Sequence, residues 1–158
     1  MIGWADTADL PEAADFMSEI IGLDDRYISH GEIQTGLSRD GQAWVTDLKA
    51  KIAEDFTDLG TSRRVVIARQ DGELVGAGVV LEQADDRARY IVTEDIAVSP
   101  TARSGGIGRR MMDFIEADAR ARGIDWAFLE SGLDNEGAHA FFERRDYHPL
   151  SKVFGKRL

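Results

Sequence analysis

The sequence predicts a mixed α/β fold, in which a mostly antiparallel central sheet carries helices on both faces. Strand-like segments joined by short turns occupy the middle of the chain, and strands alternate with amphipathic helices towards its end. Short turns join antiparallel strands, whereas parallel neighbours need a crossover such as a helix. With 158 residues and no internal repeat or linker, the chain is expected to form one domain over residues 1–158.

Two helices are predicted before the sheet. Residues 9–12, DLPE, have the N-cap Asp, the proline and the Glu of a helix start, and this helix is expected to continue to Ile21. The second helix is indicated by apolar residues four positions apart: Trp44, Leu48, Ile52 and Phe56. The glycine-containing segment 22–43 between them is expected to be a loop with one helical turn.

The next part of the chain has the pattern of antiparallel strands. The segments RRVVIAR and LVGAGVVL flank an Asp71-Gly72 turn and predict a hairpin. After a second turn at residues 84–86, the segment RARYIVTEDIAV, residues 87–98, predicts a long third strand.

Strands and helices alternate in the remainder. A helix is expected from the glycine-rich segment after Val98 to Gly123, because Ile107, Met111 and Ile115 share one helical face. A short buried strand, WAFLES, follows, then a helix capped by Asn135. The terminal segment 147–158 is expected to be a broken strand.

Charge and composition exclude several classes of function. The net charge is −10, and residues 1–62 contain 13 Asp and Glu against 4 Lys and Arg, so nucleic acid is not an expected partner. No apolar run reaches the roughly 20 residues of a membrane span, and residues 1–16 lack the features of a signal peptide. We therefore expect a cytoplasmic protein that does not bind membranes. The chain has no cysteine, and its three histidines lack metal-ligand spacing, so no metal is expected.

The segment SPTARSGGIGRRMM, residues 99–112, places glycines and arginines where a strand becomes a helix. Free N–H groups at a helix N-terminus bind anions, and glycine lets a phosphate approach them. The Walker pattern is absent because Gly108 is followed by two arginines, and the dinucleotide pattern is absent because Met111 replaces its third glycine. The segment alone therefore indicates only an anion site.

A more specific pattern extends over about residues 65–158. Arg103, Gly106 and Gly108 form Arg-x-x-Gly-x-Gly after a strand that ends Val-x-Pro. A later helix has an Asn-x-x-Ala-x-x-Phe-Phe pattern that begins at Asn135. Together these features resemble the acyl-CoA loop and the asparagine helix of the GNAT N-acetyltransferase superfamily.

The resemblance implies acetyl-CoA as cosubstrate, lying where two parallel strands splay apart. Backbone of the strand before the loop would pair with the pantetheine arm, and N–H groups of residues 104–109 would hold the pyrophosphate. Asn135 would contact the pantetheine or cap its helix. The residues that the resemblance assigns to the cofactor are Ile96, Ala97, Val98, Arg103, Ser104, Gly105, Gly106, Ile107, Gly108, Arg109, Asn135 and Phe142.

The resemblance also implies a base and an acid. An alkylammonium must lose a proton before it attacks a thioester, and Glu94 or Asp95 would take that proton. Successive side chains of a strand point to opposite faces, so only one of the two carboxylates faces the acyl-CoA cleft. A β-bulge between them would exchange their positions. Similarity to spermidine/spermine-type acetyltransferases favours Glu94. The family's usual acid is a tyrosine, but Phe142 stands there, and neither Tyr147 nor Ser131 is a clear replacement.

The function implied is acetyl transfer to a primary amine of a small molecule or peptide. The acidic first half of the chain favours a cationic amine, such as a polyamine, an aminoglycoside-like molecule or a peptide amine. The alternative is a module of this fold that binds acyl-CoA or a protein without turnover, which Phe142 keeps open. A homodimer through the terminal strand is also compatible with the sequence.

Overall fold

A five-stranded sheet forms the centre of the computed structural model, which describes residues 1–158, the side chain of Ser104 excepted. Its strands, in spatial and chain order, are β1 (Ile2–Trp4), β2 (Arg63–Gln70), β3 (Glu73–Ala84), β4 (Arg89–Val98) and β5 (Trp126–Leu129). Neighbouring strands are antiparallel, except for β4 and β5. These two strands are parallel, and a helical crossover connects them. The predicted mixed, mostly antiparallel sheet is confirmed.

Helices cover both faces of the sheet, as predicted. They are α1 (Leu10–Ile21), α2 (His30–Gln34), α3 (Leu48–Thr57), α4 (Ile107–Ala121) and α5 (Glu136–Glu143). One core lies between the sheet and α1 and α3, around Met17, Ile52 and Phe56. The other lies between the sheet and α4 and α5, around Met111 and Ile115. The gap between β4 and β5 lies between these layers, at the end of the sheet where the two strands separate.

Two helix starts differ from the sequence prediction. Asp9 precedes α1 as expected, but its carboxylate does not cap the helix. It accepts a hydrogen bond from the Asp6 N–H (3.0 Å) and one from Arg69 (3.0 Å). The second helix begins at Leu48 rather than near Trp44, because Trp44 forms a β-bridge with Ser38. Tertiary contacts therefore override the local pattern at both positions.

The two chain ends also differ from the prediction. The short strand β1 was not predicted, because three residues carry too little alternation to identify a strand. The strand predicted for residues 147–158 does not form, so this prediction was wrong. A strand needs a partner for its backbone groups, and no described segment pairs with this one.

Candidate active site

The strands β4 and β5 separate part-way along β4. Their parallel pairing runs from Tyr90 opposite Trp126 to Thr93 opposite Leu129, and β5 ends there. The strand β4 continues to Val98, and no described strand pairs with residues 94–98 on this side. Unpaired backbone N–H and C=O groups therefore line the gap, available to an extended ligand.

The glycine-rich loop brings the start of α4 to the end of this open edge. Gly106 adopts the left-handed conformation (φ 67°) before the helix, and the N–H groups of the next residues have no partner within the helix. Arg103 Nε donates to the Val98 carbonyl (3.3 Å), so its guanidinium lies beside the open edge. Backbone donors and a cation thus converge at one end of the gap.

A groove of about 1250 Å³ follows the gap between the two strands. Seven of the residues predicted to bind cofactor line it: Ile96, Val98, Arg103, Gly106, Gly108, Arg109 and Asn135. The side chains of Ala97, Ile107 and Phe142 are buried in the core instead. Gly105 is exposed beside the groove, and the predicted Ser104 side chain lies outside the described residues.

A β-bulge in β4 decides where the two candidate bases point. Asp95 pairs with Val79 and Thr93 with Val80, so Glu94 is the additional residue. The bulge reverses the alternation, because Ile91 faces the α4 core whereas Ala97, six residues later, faces the α1 core. It also leaves room only for a glycine on β3: a Cβ at Gly78 would lie 2.8 Å from the Asp95 carbonyl oxygen.

Asp95 lies in an acidic and desolvated environment. Its burial, reinforced by the negative charges of Glu32, Glu94 and Asp55, raises its pKa to about 7. A carboxyl group with such a pKa accepts and releases protons near neutral pH, which is the property of a general base.

Glu94 has a different environment from its neighbour. Arg63 Nε donates to Glu94 Oε2 (2.7 Å), and Arg63 Nη2 donates to the other oxygen (3.3 Å). The pair is partly exposed, with 28 % of the Glu94 side chain accessible. Both oxygens of the Glu94 carboxylate are therefore engaged by Arg63.

A cluster of polar side chains joins α2 to the end of β5. Ser29 Oγ lies 2.7 Å from Glu32 Oε2 and also contacts Glu130. His30 Nδ1 lies 2.8 Å from Glu130 Oε1. The sequence indicated no such contact, because 101 positions separate Ser29 from Glu130. Since the charge of Glu32 also acts on Asp95, the cluster belongs to the same site.

Gly132 allows the segment before α2 to lie against the end of β5. A Cβ at this position would meet the carbonyl oxygens of Arg26 and Ile28, the latter at 2.7 Å. We expect Gly132→Ala to displace residues 26–28 and, because Tyr27 lines the groove and accepts a hydrogen bond from Arg103 (3.3 Å), to lower kcat/KM for the amine and raise the acetyl-CoA Kd, each about tenfold. Steady-state kinetics and calorimetry measure the two quantities.

The control for this prediction is Gly3→Ala, because no heavy atom lies within 4 Å of a Cβ built at Gly3. We expect wild-type kinetics from it. Unchanged kinetics and an unchanged acetyl-CoA Kd in Gly132→Ala would mean that residues 26–28 do not contribute to the groove.

Phe142, which stands at the position of the family's usual acid, and the nearby Tyr147 both pack in the core on the α4 side. Phe142 is buried and packs edge-on against Phe141 (5.2 Å between ring centroids) and Tyr147 (6.0 Å). The Tyr147 hydroxyl donates to Glu116 (3.5 Å), and burial raises its pKa to about 12. Neither side chain identifies the acid of the predicted reaction.

Comparison with known proteins identifies the family. Residues 32–147 match the sequence profile of the acetyltransferase (GNAT) family. The chain belongs to the GNAT acetyltransferase family. The predicted membership is thereby confirmed, and the splayed strands and the glycine-rich loop lie within the matched region.

Individual GNAT relatives give a more limited comparison. A curated "IAA acetyltransferase" of Azospirillum brasilense is 34 % identical over 84 residues, which are 53 % of this chain and 54 % of that protein. The chain thus spans about half the length of this relative.

Solved structures share the fold at low sequence identity. A tetramutant of the BH1408 protein of Bacillus halodurans has a TM-score of 0.75 and 16 % identity, covering 100 % of this chain and 99 % of that one. An aminoglycoside acetyltransferase from an uncultured soil metagenomic sample, in complex with sisomicin, has a TM-score of 0.67 and 15 % identity, covering 100 % and 95 %.

Two kinds of feature are absent from the described residues. No helix there has the length and apolar character required to cross a bilayer. No group of three or more acidic or histidine side chains in the described part of the chain is arranged as a metal site.

Proposed function

We propose that residues 1–158 form one catalytic domain that transfers an acetyl group from acetyl-CoA to a cationic primary amine. The observation that carries the proposal is the position of Asp95: a desolvated carboxyl on the β4 bulge, directly before the open edge of the strand. Membership of the GNAT family supports acetyl transfer. The groove beside the open edge of β4 supports a long, extended acetyl donor such as acetyl-CoA.

The groove fits acetyl-CoA, which supplies the activated acetyl group when bound. The open backbone of residues 96–98 would hold the pantetheine arm, and the free N–H groups at the start of α4 would hold the pyrophosphate. Gly108 has no side chain that would keep a phosphate away from these N–H groups. A Cβ built at this position would lie 3.6 Å from Val98 and 3.8 Å from Phe141, which are ordinary contact distances. Arg103 and Arg109 add positive charge.

On the acceptor side, Asp95 is the base that this geometry favours. An ammonium group of pKa about 10.4 must lose a proton before it attacks, and a carboxylate with a pKa near 7 accepts it better than an ordinary one. The sequence resemblance favours Glu94, but both of its carboxylate oxygens already accept hydrogen bonds from Arg63. Glu94 as the base therefore stays a prediction. The variants Asp95→Asn and Glu94→Gln distinguish the two carboxylates.

Charge supports a cationic acceptor. Glu32, Asp55 and Glu94 all act on Asp95, and residues 1–62 carry most of the excess negative charge of the chain. Such an environment attracts ammonium groups and holds them by charge-assisted hydrogen bonds. The aminoglycoside acetyltransferase among the structural neighbours, solved with sisomicin, supports a polyamine-like or aminoglycoside-like acceptor by analogy of fold.

The proposal is tested by measuring CoA thiol release with acetyl-CoA and pools of amines. We expect turnover with polyamines, aminoglycosides or peptide amines and none with neutral or anionic amines. Turnover restricted to anionic amines would contradict a cationic acceptor. A thermal-shift titration with acetyl-CoA, run beside the assay, reports donor binding independently of turnover.

A second candidate function is a module that binds acyl-CoA without turnover. The observation that favours it is the buried Phe142, which provides no hydroxyl where many relatives have a tyrosine. Stabilisation by acetyl-CoA without thiol release from any amine pool would favour this second function. A CoA thiol of pKa about 8.5 leaves without an acid, so Phe142 is also compatible with catalysis.

A further inference from the structure

Three aromatic side chains form a continuous surface on the first halves of β4 and β5. Phe128 packs edge-on against Tyr90 (5.6 Å between ring centroids) and stacks parallel to Trp126 (5.7 Å). All three lie outside the two cores of the described chain, and Trp126 is 58 % exposed. We call this surface, made of Tyr90, Trp126 and Phe128, the aromatic face. Exposed apolar surface of this kind is characteristic of binding sites.

The aromatic face lies on the same side of the sheet as Asp95. Phe128 pairs with Val92, which in turn pairs with Leu81. Val79, two positions along β3 from Leu81, pairs with Asp95 and packs in the α1 and α3 core. Because alternate residues of a strand share a face, Phe128 and Asp95 both lie on the α1 and α3 side. Three positions of β4 separate Val92 from Asp95, so Phe128 lies about 10 Å from the bulge along the strands.

The helix α2 closes the opposite end of this path. It is fixed to the end of β5 by the contact between Ser29 and Glu130. The charges of Glu32 on α2 and Asp55 on α3 both help to raise the pKa of Asp95, so the two helices flank the bulge. The aromatic face instead continues from the bulge towards the starts of β4 and β5. An acceptor held at Asp95 therefore has its extended part directed along the aromatic face.

The two ends of the path differ in chemistry. Carboxylates surround the bulge, because Glu130 follows Leu129 directly and so lies beside Glu94 and Asp95 across the gap. The nearby cation, Arg63, is already paired with Glu94 (2.7 Å). An ammonium group is attracted to this end, whereas an apolar skeleton is stabilised when it leaves water for the aromatic rings. The path thus suits a molecule that is charged at one end and apolar at the other.

We propose that the best acceptor is a primary amine on an aromatic or other apolar skeleton, with its ammonium group at Asp95 and its skeleton on the aromatic face. This inference rests on the proposed acetyl transfer and narrows its substrate class. Phe128 contacts the skeleton first because it is the nearer ring to the bulge, and Trp126 extends the same surface. A ring in the acceptor would make edge-on or stacked contacts with these side chains.

A matched pair of amines tests the proposal. Both 4-phenylbutylamine and 4-amino-1-butanol carry a primary ammonium group on a four-carbon chain, which ends in a phenyl ring or a hydroxyl group. In thiol-release assays with acetyl-CoA, we expect kcat/KM for the phenyl compound to be at least about tenfold higher, because only its ring gains from leaving water. Equal kcat/KM values would overturn this inference while leaving acetyl transfer intact. Absence of turnover with these and all other amines would contradict the proposed function itself.

Two variants test whether the aromatic face causes this preference. Phe128→Thr should reduce the ratio of the two kcat/KM values below about threefold, and Trp126→Thr should reduce it to a smaller extent. Threonine suits a strand, and the exposed position of Trp126 makes its replacement safe for the fold. The control is Leu133→Thr, which changes an exposed residue (91 %) outside the aromatic face and should keep the wild-type ratio.

The ratio is the decisive quantity because a general loss of activity would lower both kcat/KM values together. A wild-type ratio in both Phe128→Thr and Trp126→Thr would overturn the proposal. If light scattering showed that Trp126→Thr changes the mass of the particle while the ratio stays the same, the aromatic face would belong to a contact with a second copy, which would also overturn it.

Discussion

Asp95→Asn is expected to lower kcat/KM for the amine about 100-fold or more, with an acetyl-CoA Kd close to that of the wild type. General bases contribute about 10²- to 10⁴-fold to a rate, and an amide does not accept the proton of an ammonium group. The asparagine keeps the size of the side chain at the bulge, so the open edge of β4 that receives the donor is retained. Thiol-release kinetics and calorimetric titration separate the two quantities.

Glu94→Gln is the matched control, one residue away in the same bulge. Because both oxygens of this carboxylate are already engaged by Arg63, we expect its removal to change kcat/KM less than about threefold. The reverse ranking, with Glu94→Gln inactive and Asp95→Asn active, would assign the base to Glu94.

The pH dependence follows from the same group. The pKa of Asp95 is raised to about 7, and the base acts only when deprotonated. We therefore expect the kcat/KM of the wild type to fall as pH decreases through about 7, and the residual rate of Asp95→Asn to lack this step. A wild-type profile that stays flat between pH 5 and 8 would contradict the assignment.

Stability should change in the opposite direction to activity. A carboxyl group whose folded pKa is raised from 3.8 to about 7 is protonated at low pH without penalty, and its burial destabilises the fold increasingly as pH rises from about 4 to 7. Asp95→Asn removes that penalty, so at pH 7 we expect a gain of about 2 to 4 kcal/mol in the free energy of unfolding. Urea denaturation at pH 5 and pH 8 measures the difference.

The donor side of the site was predictable because its signals are local. Gly106 and Gly108 follow a strand and precede an apolar helical stripe within a few residues, so the sequence alone places them at a strand-to-helix turn. The Asn135 side chain likewise accepts a hydrogen bond from the N–H three residues later (3.3 Å), as an N-cap residue is expected to.

The acceptor side was not predictable to the same depth. Which of two adjacent carboxylates faces the site depends on the bulge at Glu94, and the bulge depends on pairing with β3 rather than on local pattern. The contact between Ser29 and Glu130 joins segments 101 positions apart. The tail has strand-like composition, yet a strand forms only when it pairs, and no described strand pairs with the tail.

The second large effect is expected from Gly108→Ala, which tests the donor site. A Cβ at Gly108 would meet Val98 and Phe141 at 3.6 and 3.8 Å, so the free protein accommodates it. Alanine is the better helix former by up to about 1 kcal/mol, so the Tm should be equal or higher. Gly108 lines the groove in which the pyrophosphate is proposed to meet the N–H groups of α4, so an added methyl group takes up space there. We therefore expect the acetyl-CoA Kd to rise about tenfold or more.

Gly137→Ala is a closely matched control for this substitution. Gly108 and Gly137 are each the second residue of a helix, α4 and α5, and both line the groove. A Cβ at Gly137 meets nothing within 4 Å, and this position is not part of the glycine-rich loop. We expect a Kd within about twofold of the wild type, because the anion site depends on the first turn of α4 alone. Equal weakening by both substitutions would mean that the groove binds the donor without using the start of α4.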